Sequence, residues 1–171
     1  MKGDFVIMRY ADIKKMDIAN GISCGIALFV QGCHFHCEGC FNQETWDFKG
    51  GKEWTDETQK YFVDLANPHY IRRVSILGGE PLAPENIDTV YDIVKELRDV
   101  YGDTKKIWLY TGYTYEEVKD RPIIPYLDVL VDGKFEVAKK NINLAFRGSE
   151  NQRIINIPKT LESGEIIIIK R

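Results

Sequence analysis

Cys33-His34-Phe35-His36-Cys37-Glu38-Gly39-Cys40 is the stretch on which the reading of the whole chain turns. Three cysteines fall within eight residues, spaced C-x3-C-x2-C. Three thiolates this close on one loop suit three irons of a cubane cluster and leave the fourth iron without a ligand from the loop. Clusters that only carry electrons generally use four cysteines. A missing ligand leaves an open coordination site, which a catalytic metal centre needs for the same reason catalytic zinc does. Two other readings fit the same residues. One is a Cys3His zinc knot with His34 or His36 as fourth ligand. The other is redox or disulfide chemistry, in which one disulfide would strand the third cysteine.

Immediately before this loop, residues 26–30 (Ile-Ala-Leu-Phe-Val) form a short apolar run that predicts a buried strand. The cysteines then sit at its C-terminal end, where parallel α/β folds carry their chemistry. Cys24 lies before the strand and outside the spacing, and reads as a small buried hydrophobe. Three further strands are predicted over residues 73–77, 107–110 and 127–131. Between them, Thr55-Asp56-Glu57 caps a helix running to about Leu65. Pro84 suits a second helix start, with Ile87, Val90, Tyr91, Val94 and Leu97 along one face. Thr114 to Glu117 has the capping-box pattern of a short third helix. Residues 5–10 suit an edge strand, the mixed segment 13–21 ends in an Asn20-Gly21 turn, and the tail from residue 142 reads as short strands over 154–157 and 165–169.

Strands alternating with helices imply a parallel sheet with right-handed crossovers. A complete eight-stranded barrel takes about 250 residues. The expected fold is therefore α/β: a partial TIM-type barrel of mostly parallel strands with outer helices. Its 171 residues read as one domain, 1–171, large enough for a real core. Apolar residues make up 44 % and charged residues 29 %, and the net charge is -3 with no basic block, which argues against a nucleic-acid or membrane partner. Residues 1–10 mix acidic and basic side chains and do not read as a signal peptide. The longest aliphatic run, residues 166–169, is far too short for a bilayer. Four cysteines, three of them clustered, suit a reducing cytoplasm better than a secreted disulfide framework.

Polar or glycine-rich residues close each of the four strands: the cysteine loop, Gly78-Gly79-Glu80-Pro81, Thr111-Gly112 and Asp132-Gly133-Lys134. In a parallel arrangement all four converge on one mouth. The Gly-Gly pair lets the backbone approach a ligand and offer it a carbonyl or an amide.

The cysteine spacing followed by Gly-Gly-Glu-Pro resembles the radical S-adenosylmethionine enzymes. Four segments narrow the resemblance: residues 33–46 (CHFHCEGCFNQETW), 109–113 (LYTGY), 129–135 (VLVDGKF) and 146–153 (FRGSENQR). They look like the branch that activates anaerobic (class III) ribonucleoside-triphosphate reductases, and the similarity runs from about residue 10 to 157.

The resemblance implies that Cys33, Cys37 and Cys40 bind a [4Fe-4S] cluster whose open iron is chelated by S-adenosylmethionine. It implies cofactor contacts at Gly39, Cys40 and Phe41, at Gly78 and Gly79, with Glu80 ordering that loop, and at Asp132, Gly133 and Lys134, with Lys134 facing the carboxylate. Reductive cleavage would give a 5′-deoxyadenosyl radical that takes a Cα hydrogen from a glycine of the partner reductase. A flavodoxin or ferredoxin is the implied electron donor. Two features depart from the wider superfamily. Gly39 stands where many members carry an aromatic beside the adenine, which leaves Phe41 or Tyr113 to pack it, and residues 21–25 lack the expected Gly-Pro-Gly and following arginine. A compact enzyme acting on a small molecule, like the one that makes 7-carboxy-7-deazaguanine, is the alternative. Arg147, Ser149, Asn151 and Arg153 match the branch without an assigned role.

Overall fold

Four apolar runs pair side by side to make the centre of the molecule. In the computed structural model, which describes residues 7–171, they are strands β2 (Gly25–Val30), β4 (Arg73–Gly78), β5 (Lys106–Tyr110) and β6 (Val129–Asp132). All three pairings between them are parallel. Three further strands flank them: β1 (Arg9–Asp17), β3 (Lys52–Glu53) and β7 (Arg153–Asn156). The seven-stranded sheet has the order β3-β1-β2-β4-β5-β6-β7, with β1 antiparallel to β2 and β3, and β7 antiparallel to β6. The sheet is open and is not a closed barrel. Half of its pairings are antiparallel, so the expectation of mostly parallel strands holds only at its centre.

The helices follow from local signals. Helix α1 (Asp56–Leu65) starts where expected, with the Thr55 hydroxyl accepting from the Thr58 amide and Asp56 and Glu57 in the first turn. Helix α2 (Ile87–Tyr101) starts three residues after Pro84, because residues 80–86 form a turn in which the Ile87 amide bonds the Ala83 carbonyl. Helix α3 (Tyr115–Val118) carries the Thr114/Glu117 capping box. Helix α4 (Ile157–Ser163) was not expected from the isoleucine-rich tail; Asn156 caps it and Pro158 sits in its first turn.

Strand residues alternate between two environments, as a period of two requires. Leu28, Ile76, Leu109 and Leu130 belong to the main core together with Phe62 of α1 and Ile93 and Leu97 of α2. Trp108, Val129, Val131 and Ile154 form a smaller cluster apart from it. Both faces are covered, so the strands read as continuous apolar runs.

Arg73 ties the start of β4 to β1. It is fully buried, pairs with Asp17 at 3.0 Å and donates to the carbonyls of Ile22 and Ser23. Gly25 accommodates this arrangement: a Cβ there would lie 2.4 Å from the Arg73 carbonyl oxygen. Residues 21–25 therefore wrap a structural arginine, at the opposite end of β2 from the cysteine loop.

Other boundaries differ from expectation for physical reasons. Residues 5 and 6 of the expected edge strand lie outside the described residues. Its remainder extends to Asp17 because pairing with β2 carries it through the mixed segment. The fourth strand begins at Val129, since Ile124–Tyr126 turn as a 3-10 helix and the Asp128 carboxylate accepts from Arg98 and from the Ile107 amide. Residues 165–169 make a single bridge, Ile155 to Ile168, in place of a strand. Among the described residues, no helix is long and apolar enough to cross a membrane.

Candidate cluster and cofactor site

The cysteine loop is stitched down at its base. Gly32 and Cys33 donate their amides to the carbonyls of Thr45 and Trp46, and the Gln31 side chain donates to the carbonyls of Glu44 and Asp47. Residues 33–45 thus arch out and back. Gly39 has φ +73°, a left-handed value suited to glycine. Cys33, Cys37 and Cys40 all line one cavity of about 550 Å³. All four cysteines are free. Burial pushes the Cys33 and Cys37 thiols up from their usual range, helped by the charges of Glu80 and Cys40 respectively. Holding these sulfurs as thiolates therefore calls for a cation beside them.

Neither histidine of the loop lines that cavity. The His34 Nε2 sits 2.8 Å from Glu85, and the His36 ring stacks on Trp46 at 4.5 Å. Among the described residues, no three His, Cys, Asp or Glu side chains converge as a single metal ion requires. The Cys3His zinc arrangement is not formed. Cys24 packs against the main core, away from the cavity.

The end of β4 locks onto this loop. Gly79 and Glu80 donate their amides to the carbonyls of Val30 and Gly32, at 2.9 and 2.8 Å. A Cβ on Gly79 would stand 2.4 Å from the Gly32 oxygen, so only glycine allows the approach. Glu80 is buried, and its carboxylate accepts from the amides of Leu82 and Gly112 and from the Thr111 hydroxyl. Burial outweighs these bonds and pushes its carboxyl up to about 7. One side chain thereby couples the loops after β4 and β5.

Asp132 turns elsewhere. It accepts from the Tyr115 amide and from Arg153, which also binds Glu116 and holds that carboxyl down at about 2. Gly133 and Lys134 follow it into the cavity wall, with the Lys134 ammonium 4.9 Å from the Phe35 ring centre. Of the residues expected to meet the cofactor, Cys40, Phe41, Gly78, Gly79, Glu80, Gly133 and Lys134 line the cavity; Gly39 and Asp132 do not. Nor does Tyr113, whose ring packs edge-on against Phe35. Phe41 lines it and is 60 % exposed, with the Phe135 ring 5.1 Å and the Lys140 ammonium 5.2 Å from its ring centre.

Comparison with known proteins decides the family. Residues 19–155 match the family described as a 4Fe-4S single cluster domain. The anaerobic ribonucleoside-triphosphate reductase-activating protein of Vibrio cholerae is 40 % identical over 151 residues, covering 86 % of this chain and 97 % of that protein. Its namesake in Enterobacteria phage T4 is 38 % identical over 149 residues, covering 86 % and 93 %, and that of Escherichia coli K12 is 35 % identical over 149 residues, covering 85 % and 96 %. The chain belongs to the anaerobic ribonucleoside-triphosphate reductase-activating protein family. This membership disfavours the small-molecule alternative.

The donor set fits the cluster that the family carries. Three free cysteines on one arch share one cavity, and no fourth cysteine lines it. Three residues that line the cavity also carry a buried polar atom without a protein partner. The Trp46 Nε1, Tyr110 hydroxyl and Arg147 Nε are buried and have no hydrogen-bond partner among the described residues. Each such orphan costs about 1–3 kcal/mol unless a ligand supplies its partner. Arg147 belongs to the family-like segment 146–153, whose other members serve as struts. Gln152 accepts from the amides of Gly148 and Ser149 and donates to the Gly133 carbonyl, while Asn151 donates to the Lys134 carbonyl. Only the motif itself signalled these residues; their direction depends on contacts between distant segments.

Proposed function

We infer that this chain is the activase of an anaerobic ribonucleoside-triphosphate reductase, acting as one unit over residues 1–171. The observation that carries the reading is the meeting of the cysteine arch, the Gly78-Gly79-Glu80 turn and Lys134 around one cavity, in a chain of this family. Cys33, Cys37 and Cys40 hold a [4Fe-4S] cluster. When bound, such a cluster would supply the single electron, drawn from an external reductant, for reductive cleavage of S-adenosylmethionine, the chemistry needed to remove a Cα hydrogen from a glycine of the reductase.

The chain's own residues bind and orient. Gly78 and Gly79 let the turn pack directly on Val30 and Gly32, and the backbone of that turn would receive the cofactor's amino group. Glu80 fixes that turn against Gly112. Lys134 meets the carboxylate. Phe41 offers its ring to the adenine. Gly39 shapes the loop, and Asp132 braces α3 and Arg153 from behind the wall. The open sheet serves as an incomplete barrel whose free flank admits a polypeptide, and the docked reductase excludes water. The electron comes from a flavodoxin or ferredoxin in a reducing cytoplasm.

Anaerobic reconstitution with iron and sulfide, followed by product analysis, tests this. We expect four irons per chain, as the proposed cluster requires, and formation of 5′-deoxyadenosine that requires both reductant and S-adenosylmethionine. Stoichiometric zinc with no cleavage would contradict it.

A further inference from the structure

The two ends of the sheet are finished differently. At β7 the tail lies alongside: the Ile169 amide donates to the Ile154 carbonyl and the Asn156 amide to the Ile167 carbonyl, at 2.7 and 2.9 Å. At the other end β3 pairs only with Arg9 and Tyr10 of β1. Among the described residues, no strand lies outside β1 from Ala11 to Asp17. Within this stretch the Ile13 amide donates to the neighbouring Asp12 carboxylate, at 2.8 Å. Backbone groups along such an edge can take up a further strand.

The open stretch borders the cavity. Lys14 lines the cavity and carries its ammonium over the Phe29 ring, 5.5 Å from the ring centre; Ala19 and Asn20, just beyond β1, line it too. The upper end of the stretch, Asp12, is level with Phe29, four residues before Cys33. Above it β3 takes the edge, so a chain paired lower down leaves the sheet beside the cavity. Met16 and Ile18, 66 % and 77 % exposed, offer apolar contact at the lower end. Lys14 and Lys15 sit mid-edge, and register shifts fall on either side of residues 12–14. Both are devices that keep an edge from pairing with copies of itself.

A glycine has no side chain to recognise, so an activase must read the backbone around it, and strand addition does so through main-chain hydrogen bonds. Resting on the activase reading, we propose that the open edge of β1, residues 11–17, receives the glycine-bearing segment of the reductase as an added strand, and that the segment then turns over this flank into the cavity.

Two anaerobic experiments on the cluster-loaded protein and the whole reductase test this. In the first, Met16 is replaced by the photo-crosslinking residue p-benzoylphenylalanine, and cross-linked peptides are identified by mass spectrometry. Cross-links to the reductase segment that carries the radical glycine are expected. The same replacement at Leu161, an exposed residue of α4, should give none to that segment. In the second, Met16→Asp and Ile18→Asp should each raise the apparent KM for the reductase about tenfold, through loss of one apolar contact. Cleavage of S-adenosylmethionine without reductase should stay within about twofold of the parent, because both side chains are exposed. Cross-links from Met16 to another reductase surface or to a second copy of this chain would overturn the proposal. So would the absence of any cross-link, or an unchanged KM in both variants. Failure of the parent protein itself to form the radical would sink the activase reading instead.

Discussion

Cys33, Cys37 and Cys40 differ from Cys24 in what surrounds them, and the difference is testable residue by residue. The first three share the cavity, while Cys24 packs against the core beyond the far end of β2. Alanine at any of the three should remove the cluster's visible absorbance and reduce cofactor cleavage below detection. Cys24→Ala should keep both. Iron content and 5′-deoxyadenosine yield check the four variants together. Glu80 gives a pH signature. Its carboxyl stays protonated in the folded chain up to about pH 7, but ionises near 4.3 when unfolded. The folded state therefore binds the extra proton between those values. Stability from this group is fully present below the lower value and is lost as pH rises through the upper one. Denaturation of the metal-free protein should show stability falling from pH 5 to 8, by roughly 3 kcal/mol at most. Glu80→Gln should flatten that slope while lowering stability at acid pH.

At the scale of elements, the chain states some structures openly and hides others. Residues 26–30, 73–77 and 107–110 are apolar runs bounded by turn signals, and each became a central strand. Thr55 announced α1 through its own side chain, and Thr55→Ala should cost about 1 kcal/mol in thermal denaturation. The turn motifs at the strand ends were legible because glycine, proline and acidic residues act locally. Strand β3, two residues long, has no periodicity to read; it exists because Arg9 and Tyr10 pair with it. Helix α4 was masked by isoleucines that favour strands, and its Asn156 cap and Pro158 start decided otherwise. Arg73 opens β4 as the strand signal implies, and it is also the buried partner of Asp17, set 56 residues away in sequence, which no local signal shows. Arg73→Met should destabilise the fold by about 3–5 kcal/mol, because Asp17 would keep its burial without its counter-charge. Urea titration would measure this, and a loss below about 1 kcal/mol would mean that water reaches the pair.

On the scale of the whole molecule, function follows from how the strand ends are gathered. The parallel strands bring the cysteine arch, the Gly79 turn, Gly112 and Lys134 to one mouth, as the alternation of strands and helices implied. The walls of that mouth were less legible. Trp46, Tyr110 and Arg147 line it through contacts among segments that sequence spacing does not connect. The sheet does not close into a barrel, although the C-terminal tail covers the outer edge of β7 through the Ile155–Ile168 bridge, and an open sheet suits the proposed polypeptide target. Anaerobic electron paramagnetic resonance tests that claim most directly. The reduced, cluster-loaded protein is mixed with S-adenosylmethionine and the anaerobic reductase of the same organism. The account predicts a glycyl-radical doublet that requires both this chain and the cofactor. Formation of 5′-deoxyadenosine with no doublet on the reductase would contradict it.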